Sequence, residues 1–219
     1  MINSAHHQLL QSLFAVSSEL SETLLNLGTI EVISQDHIIH DQNITPDSVI
    51  FLLSGLVGLF TFSFEGKEFY DGFLTPGTIM HDDYLIDQSL YISHSLALTD
   101  VIILKIPFSS TQALYDNTHY LQLVNRSVIR KLSINRNLRH VFREKDIVKK
   151  IHTLLALLLR FAQGSTIIIT HEQLAQLTGS SRNSIGKVLK RLELQSIIDC
   201  NRRTIKWGVN KHRLLSSSL

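Results

Sequence analysis

Apolar positions change their period along the chain, and each change marks an element. Between residues 5 and 27, Leu9, Leu10, Leu13, Phe14, Leu20, Leu24 and Leu27 recur at helical spacing and predict one or two short helices. From Ile30 to Ile106 the texture becomes a series of short apolar or alternating runs: Ile30–Ile33, His37–His40, Val49–Leu53, Val57–Phe64, Glu68–Leu74 and Val101–Ile106. Turn residues separate them at Asp41-Gln42-Asn43, Thr45-Pro46-Asp47, Ser54-Gly55, Glu65-Gly66-Lys67 and Thr75-Pro76-Gly77. Such spacing predicts an antiparallel sandwich or barrel. Glycine at 55, 66 and 77 suits tight turns because it tolerates positive φ.

After Pro107 the pattern becomes helical again. Phe108–Asn117 reads as a short helix, and Thr118–Glu144 as a long one. Leu121, Val124, Val128, Leu132, Leu138 and Phe142 are spaced by threes and fours, with Asn135 in the gap, which is a coiled-coil-like dimer seam. A single Asn in such a seam sets register between partner helices. Packing of this stripe on the chain's own barrel is the competing reading. A further helix spans about Asp146–Ala162, with Gly164 as its stop, and Thr166–Thr170 reads as a short strand.

Residues 170–192 carry the most specific signal. Thr170 with Gln173 makes a capping box, so a helix should start there, burying Leu174, Ala175 and Leu177. Thr178-Gly179-Ser180 is the turn, with Gly179 free to go left-handed. Ser180 or Ser181 caps a second helix that buries Ile185, Val188, Leu189 and Leu192, and small residues at Ala175 and Gly186 predict a close approach of the two helices. The outward face of the second helix bears Arg182, Asn183, Lys187, Lys190 and Arg191. Arg pairs with guanine O6 and N7, Asn with adenine N6 and N7, and residues near the start of a recognition helix reach base edges. Arg182 and Asn183 are therefore the candidate base readers, and lysine near the helix flanks suits phosphate. Thr170, Ser181, Ser184, Lys190 and Arg191 are candidate phosphate contacts. Ser196–Cys200 and Thr204–Val209 flank Asn201-Arg202-Arg203, a hairpin wing whose Arg202, Arg203 and Lys206 also suit phosphate or a minor groove.

Charge strengthens this reading. Residues 1–125 hold two basic and 14 acidic side chains, a net of −12, whereas residues 126–219 hold 19 basic and five acidic ones, a net of +14. One half is thus expected to meet a polyanion, double-stranded DNA above all. No apolar run approaches the length of a membrane span, the first residues do not read as a signal peptide, and a single Cys200 forms no intrachain disulfide. A cytoplasmic protein without membrane attachment is expected.

Three stretches resemble the Crp/Fnr family of bacterial regulators: Ile50-Phe51-Leu52-Leu53-Ser54-Gly55-Leu56-Val57, Phe64-Glu65-Gly66-Lys67-Glu68 followed by Leu74-Thr75-Pro76-Gly77, and Leu174 through Leu194. The resemblance implies an α+β fold with an N-terminal double-stranded β-helix (a jelly-roll of the cyclic-nucleotide-binding type), a long dimerisation helix and a C-terminal winged helix-turn-helix. It divides the chain into 1–117, 118–144 and 145–219, and implies a homodimer on a near-palindromic site, with RNA polymerase as a candidate partner. Where relatives carry Arg-Glu and a later Arg in the recognition helix, this chain has Arg182, Asn183 and Lys187, which shifts the expected base preference. Cyclic-nucleotide binders have Glu and then Arg-Ser or Arg-Thr in the sensor. Here Gly77–Asp83 and Ser89–Ser95 contain no Arg, and Asp82 and Asp83 are expected to repel a phosphate. The effector region is then His81, Asp82, Asp83, Tyr91 and His94, with the small-molecule effector unknown. One Cys excludes the iron–sulfur branch.

Seven of the 11 histidines precede residue 125. His37 with His40, or His81 and His94 with Asp82 and Asp83, would suit a metal, yet no tight ligand motif exists, and ordinary hydrogen-bonded histidine is the expectation. Haem through one of these histidines is a lesser alternative. Cys200 has no resolving partner and reads as a buried structural thiol. No catalytic residue, metal or cofactor is assigned. Two other classes stay open: a metal-dependent enzyme built on the β-roll, and a regulatory or interaction subunit whose basic half binds RNA or an acidic protein.

Overall fold

Two helices, α1 (Ser4–Phe14) and α2 (Ser18–Leu27), precede a run of strands. The computed structural model describes residues 4–42, 44–62, 65–66, 68–84, 93–111, 114–161, 166–201 and 204–210. It divides into two compact units, Met1–Ile134 and Asn135–Leu219. Ser17 starts α2 by accepting from the Leu20 amide at 3.2 Å, the bond expected of an N-cap.

The strands are β1 (Thr29–Ile33), β2 (Ile38–His40), β3 (Ser48–Ser54), β4 (Val57–Phe62), β5 (Glu68–Leu74), β6 (Ile79–Met80), β7 (His94–Ala97) and β8 (Val101–Pro107). They form two antiparallel four-stranded sheets, ordered β1-β8-β3-β6 and β2-β7-β4-β5. The unbroken apolar run of β3 follows from burial on both faces. Ile50 and Leu52 join Met80, Val101 and Ile103 against Val57, Leu74 and Ala97 of the other sheet. Val49, Phe51 and Leu53 face the opposite way, toward Leu10, Phe14, Leu20 and Leu24 of the two helices. Phe14 meets Phe51 edge-on with ring centroids 5.4 Å apart.

The expected strands are present, while β6 and β7 are additions. Both are short, and β7 reads His-Ser-Leu-Ala without a β-branched residue. Their strand state comes from neighbours: β7 pairs with both β2 and β4, and β6 with β3. Of the helix expected over residues 108–117, Phe108–Thr111 forms α3, residues 112 and 113 lie outside the described residues, and 115–117 are not helical. Asn117 instead caps the next helix, accepting at its side-chain oxygen from the amides of His119 at 2.9 Å and Tyr120 at 3.2 Å.

That helix, α4 (Thr118–Arg143), runs 26 residues. One side buries Tyr120, Leu123, Ser127, Ile134, Leu138 and Val141; Tyr120 and Leu123 join the cluster around Phe51. The other side leaves Leu121, Val128, Ile129, Leu132 and Phe142 exposed. In the second unit, Asp146 caps α5 (Ile147–Phe161), accepting from the Val148 amide at 2.8 Å. Strand β9 (Thr166–Ile168), helices α6 (His171–Thr178) and α7 (Arg182–Leu194), and strands β10 (Ile198–Cys200) and β11 (Thr204–Trp207) follow, the strands forming one sheet ordered β10-β11-β9.

Gly55 and Gly66 both hold positive φ, +86° and +75°, but differ in surroundings. A Cβ on Gly55 would sit 2.3 Å from the Asp100 carbonyl oxygen, whereas one on Gly66 meets nothing within 4 Å. Gly66→Ala should therefore cost about 1–3 kcal/mol from backbone strain alone. Gly55→Ala should cost clearly more, read by urea unfolding of the two variants; equal losses would contradict the packing described for Gly55.

Candidate nucleic-acid interface

The capping box forms as the sequence predicts. Thr170 Oγ1 accepts from the Gln173 amide at 3.1 Å, and Gln173 Oε1 accepts from the Thr170 amide at 2.9 Å. Gly179 ends α6 at φ +61°, and the Ser180 amide returns to the Ala175 carbonyl at 2.9 Å. Ser181 caps α7 by accepting from the Ser184 amide at 3.2 Å. Leu174, Ala175 and Leu177 of α6 and Ile185, Val188, Leu189 and Leu192 of α7 are buried. Lys150 of α5 donates to the Thr178 carbonyl at 3.1 Å, which ties the end of α6 from outside the motif. One expectation is corrected: Gly186 is no point of close helix approach, because a Cβ there would meet only His171 Nδ1, at 3.8 Å.

Arg182, Asn183, Lys187, Lys190 and Arg191 are all exposed on α7. Among the described residues none of its four cations is ion-paired, so the row presents uncompensated positive charge. Ser181 is exposed, and Thr170 and Ser184 are half-buried; their hydroxyls already serve the caps, and the Ser181 and Ser184 oxygens lie 2.9 Å apart. Lys206 of the wing is exposed and pairs with Asp199 across β10 and β11 at 2.9 Å. Both partners are half in water, so the pair contributes little. Arg202 and Arg203 lie outside the described residues. Burial raises the Cys200 thiol pKa, with Glu193 and Asp199 adding to the shift, which opposes thiolate chemistry.

The expected seam is divided by the structure. Leu121, Val128, Leu132, Asn135 and Phe142 are exposed and Val124 is half-buried, but Leu138 is 2% exposed and lies on the buried side of α4. Ile129, 66% exposed, is the apolar residue that periodicity overlooked.

The effector region is equally divided. His81 and Asp82 are buried, Asp83 is exposed, His94 is half-buried, and Tyr91 lies outside the described residues. Asp82 is no exposed repeller of anions, because its carboxylate is sealed against Lys131 of α4. Burial raises the Asp82 pKa and Lys131 opposes that shift. Asp82 Oδ2 and the Tyr120 hydroxyl are buried without a hydrogen bond among the described residues. Ser127 Oγ accepts from the Ile79 amide at 2.7 Å, and the Arg130 guanidinium lies where a Cβ on Gly77 would reach, 2.6 Å away. Ser127, Arg130 and Lys131 thus face the 77–82 turn from one side of α4, a set that the sequence reading missed although its spacing of three and four was visible. His94 Nδ1 lies 2.7 Å from Asp41, and His40 meets His81 rather than His37. Among the described residues no three His, Cys, Asp or Glu side chains form a metal-holding group.

A β-roll followed in the chain by a long helix and a winged helix-turn-helix defines a two-part DNA-binding regulator. Residues 30–118 match the cyclic nucleotide-binding domain profile and residues 151–210 the Crp-like helix-turn-helix domain profile. The cAMP-activated global transcriptional regulator CRP of Pasteurella multocida is 25% identical over 173 residues, covering 73% of this chain and 80% of that protein. The protein of the same name from Salmonella typhimurium is 25% identical over 180 residues, covering 78% and 85%. A CRP-family transcriptional regulator of Thermus thermophilus superposes with a TM-score of 0.71 at 18% identity, over 86% of this chain and 96% of that one. The c-di-GMP responsive global regulator CLP of Xanthomonas campestris gives 0.70 at 16%, over 88% and 99%. The chain belongs to the Crp/Fnr family of transcription regulators. That family consists of regulators and not of enzymes.

Lys131→Met should leave Asp82 buried without its cation and cost about 3–5 kcal/mol. Adding Asp82→Asn should recover most of the loss in chemical unfolding. A double variant no more stable than Lys131→Met would show that the pair is not what Lys131 serves.

Proposed function

We propose that the chain is a sequence-specific regulator that binds a near-palindromic DNA site as a homodimer, with residues 1–117 as input domain, 118–144 as dimer helix and 145–219 as DNA-binding module. The observation that carries this reading is the unpaired cationic row of α7, fixed by caps at Thr170 and Ser181. Arg182, Asn183 and Lys187 read base edges. Ser181, Ser184, Thr170, Lys190, Arg191, Lys206 and the wing arginines Arg202 and Arg203 position the phosphate backbone. The two recognition helices of the dimer then sit about one DNA turn apart, roughly 34 Å.

The exposed stripe of α4 supports a second copy as its cover, since Leu121, Val128, Ile129 and Leu132 otherwise stay in water. The β-roll takes an input other than a cyclic nucleotide: the relevant segments hold no arginine for a phosphate, and Lys131 already occupies the Asp82 carboxylate. The relatives named for cAMP and c-di-GMP have their own effectors. No helix among the described residues is long and apolar enough to cross a membrane, and the site of action is the cytoplasm, where RNA polymerase is the natural protein partner.

Mapping of DNA bound by the intact chain across its genome yields the operator. On that operator Arg182→Ala should cost about 1–3 kcal/mol and relax preference at one base position. Binding to random DNA should change far less. A uniform loss across all sequences would refute base reading, and no salt-dependent DNA binding at all would favour the interaction-subunit reading. Leu132→Glu should turn a sedimenting dimer into monomer while the far-ultraviolet spectrum stays; a variant still dimeric would remove the stripe from the interface.

A further inference from the structure

Gly186 stands in the interior of α7, more than a turn from either end. A glycine there weakens a helix more than any residue except proline. It is explained by a positive φ, by close packing of another part of the fold, or by close approach of something bound. The first two reasons do not hold at this position. The backbone of Gly186 is ordinary right-handed helix, without the positive φ of Gly179. Among the described residues an added Cβ would meet one heavy atom, His171 Nδ1, at 3.8 Å, an ordinary van der Waals distance. Gly208 of the same unit is the contrast, because a Cβ there would lie 2.3 Å from the Ser196 carbonyl oxygen.

The position of Gly186 on the helix points to the third reason. At about 100° per residue, it falls between Arg182 and Asn183 around α7. It lies one turn after both and one turn before Lys190, and all three of those side chains are exposed. Ile185, Val188, Leu189 and Leu192 turn a different arc of the helix into the core. The bare Cα is therefore a gap within the cationic face, and the half-buried His171 at the start of α6 stands beside it. Asn183 gives the gap its use. An arginine can stretch toward a distant base, whereas the short asparagine side chain pairs with adenine only where the helix backbone comes close.

We propose that Gly186 is a clearance in the DNA-reading surface: its missing side chain lets a base-pair edge of the major groove come against the α7 backbone, so that Arg182 and Asn183 reach their bases. This rests on reading α7 as the recognition helix, and it adds a positioning residue that makes no side-chain hydrogen bond of its own.

The test uses the full-length chain, a duplex enriched by wild type from a randomised pool, and a random-sequence duplex of the same length, at one salt concentration. Gly186→Ala should be at least as stable as wild type in urea unfolding, because it removes a helix glycine where a methyl group fits. It should nevertheless bind the enriched duplex about tenfold more weakly, the order of one base contact, and Gly186→Leu more weakly still. Affinity for the random duplex, held mainly through phosphates, should fall far less. Added to Arg182→Ala, the Gly186→Ala change should cause little further loss, because both act at one contact. Enriched-duplex affinity equal to wild type in both Gly186 variants would overturn the proposal and leave α7 as the recognition helix. A destabilised Gly186→Ala would assign the glycine to the fold instead, and equal losses on both duplexes or full additivity with Arg182→Ala would separate it from base reading; each result overturns the proposal. A wild-type chain with no salt-dependent DNA binding would sink the DNA reading itself, and this inference with it.

Discussion

Helix α4 has apolar side chains on two sides, and among the described residues only one side is buried. Tyr120 and Leu123 lie in the core with Phe51 and Leu24, while Leu121, Val128, Ile129 and Leu132 stay exposed. Leaving a Val, Leu or Ile in water forgoes about 1.5–3 kcal/mol each relative to full burial. Two polar contacts fix the same rotation as the apolar ones. Ser127 accepts from the Ile79 amide, and Lys131 pairs with Asp82. Rotating α4 by one position would break both and strand a buried carboxylate.

The fold separates two electrostatic tasks along the chain. The basic residues of α4 that lie before residue 135 are partly consumed internally: Arg126 donates to the Ala15 carbonyl at 3.1 Å, and Lys131 meets Asp82. The cations of α7 have no such partner among the described residues. The strongly positive balance after residue 125 therefore overstates what is free for a polyanion, and α7 and the wing hold the usable part. A positive charge count alone does not separate a structural cation from a binding one; the burial of its partner does.

Legibility followed the range of the interactions involved. The helix-turn-helix was readable almost residue by residue, because caps at Thr170 and Ser181 and the left-handed Gly179 are local signals of three or four residues. Strands β1 to β5 and β8 were readable from alternation and turns. Strands β6 and β7 were not, because their state depends on partners remote in sequence, as Met80 does on Ile50. Leu138 entered the expected seam because a heptad count reports spacing and not which side of a helix the chain itself covers. The Asp82–Lys131 pair, 49 positions apart, left no trace in sequence beyond the two residues themselves. Its consequence was misread for that reason: Asp82 looked like an exposed anion and is a sealed one.

The turn after β6 is where these threads meet. Ile79 donates to Ser127 of α4, His81 reaches the Ser48 carbonyl of β3, and Asp82 binds Lys131 of α4. Residues 79 to 82 thus fasten the same short turn to a strand and to the helix that bears the exposed apolar stripe. Close-packed interiors have few intermediate positions, so a turn held at several points tends to shift as a unit. Any input that loosens His81 also bears on the two bonds that fix the rotation of α4. For a regulator whose output lies beyond that helix in the chain, coupling would need no separate pathway if the turn took a second arrangement, because the turn is tied directly to the helix.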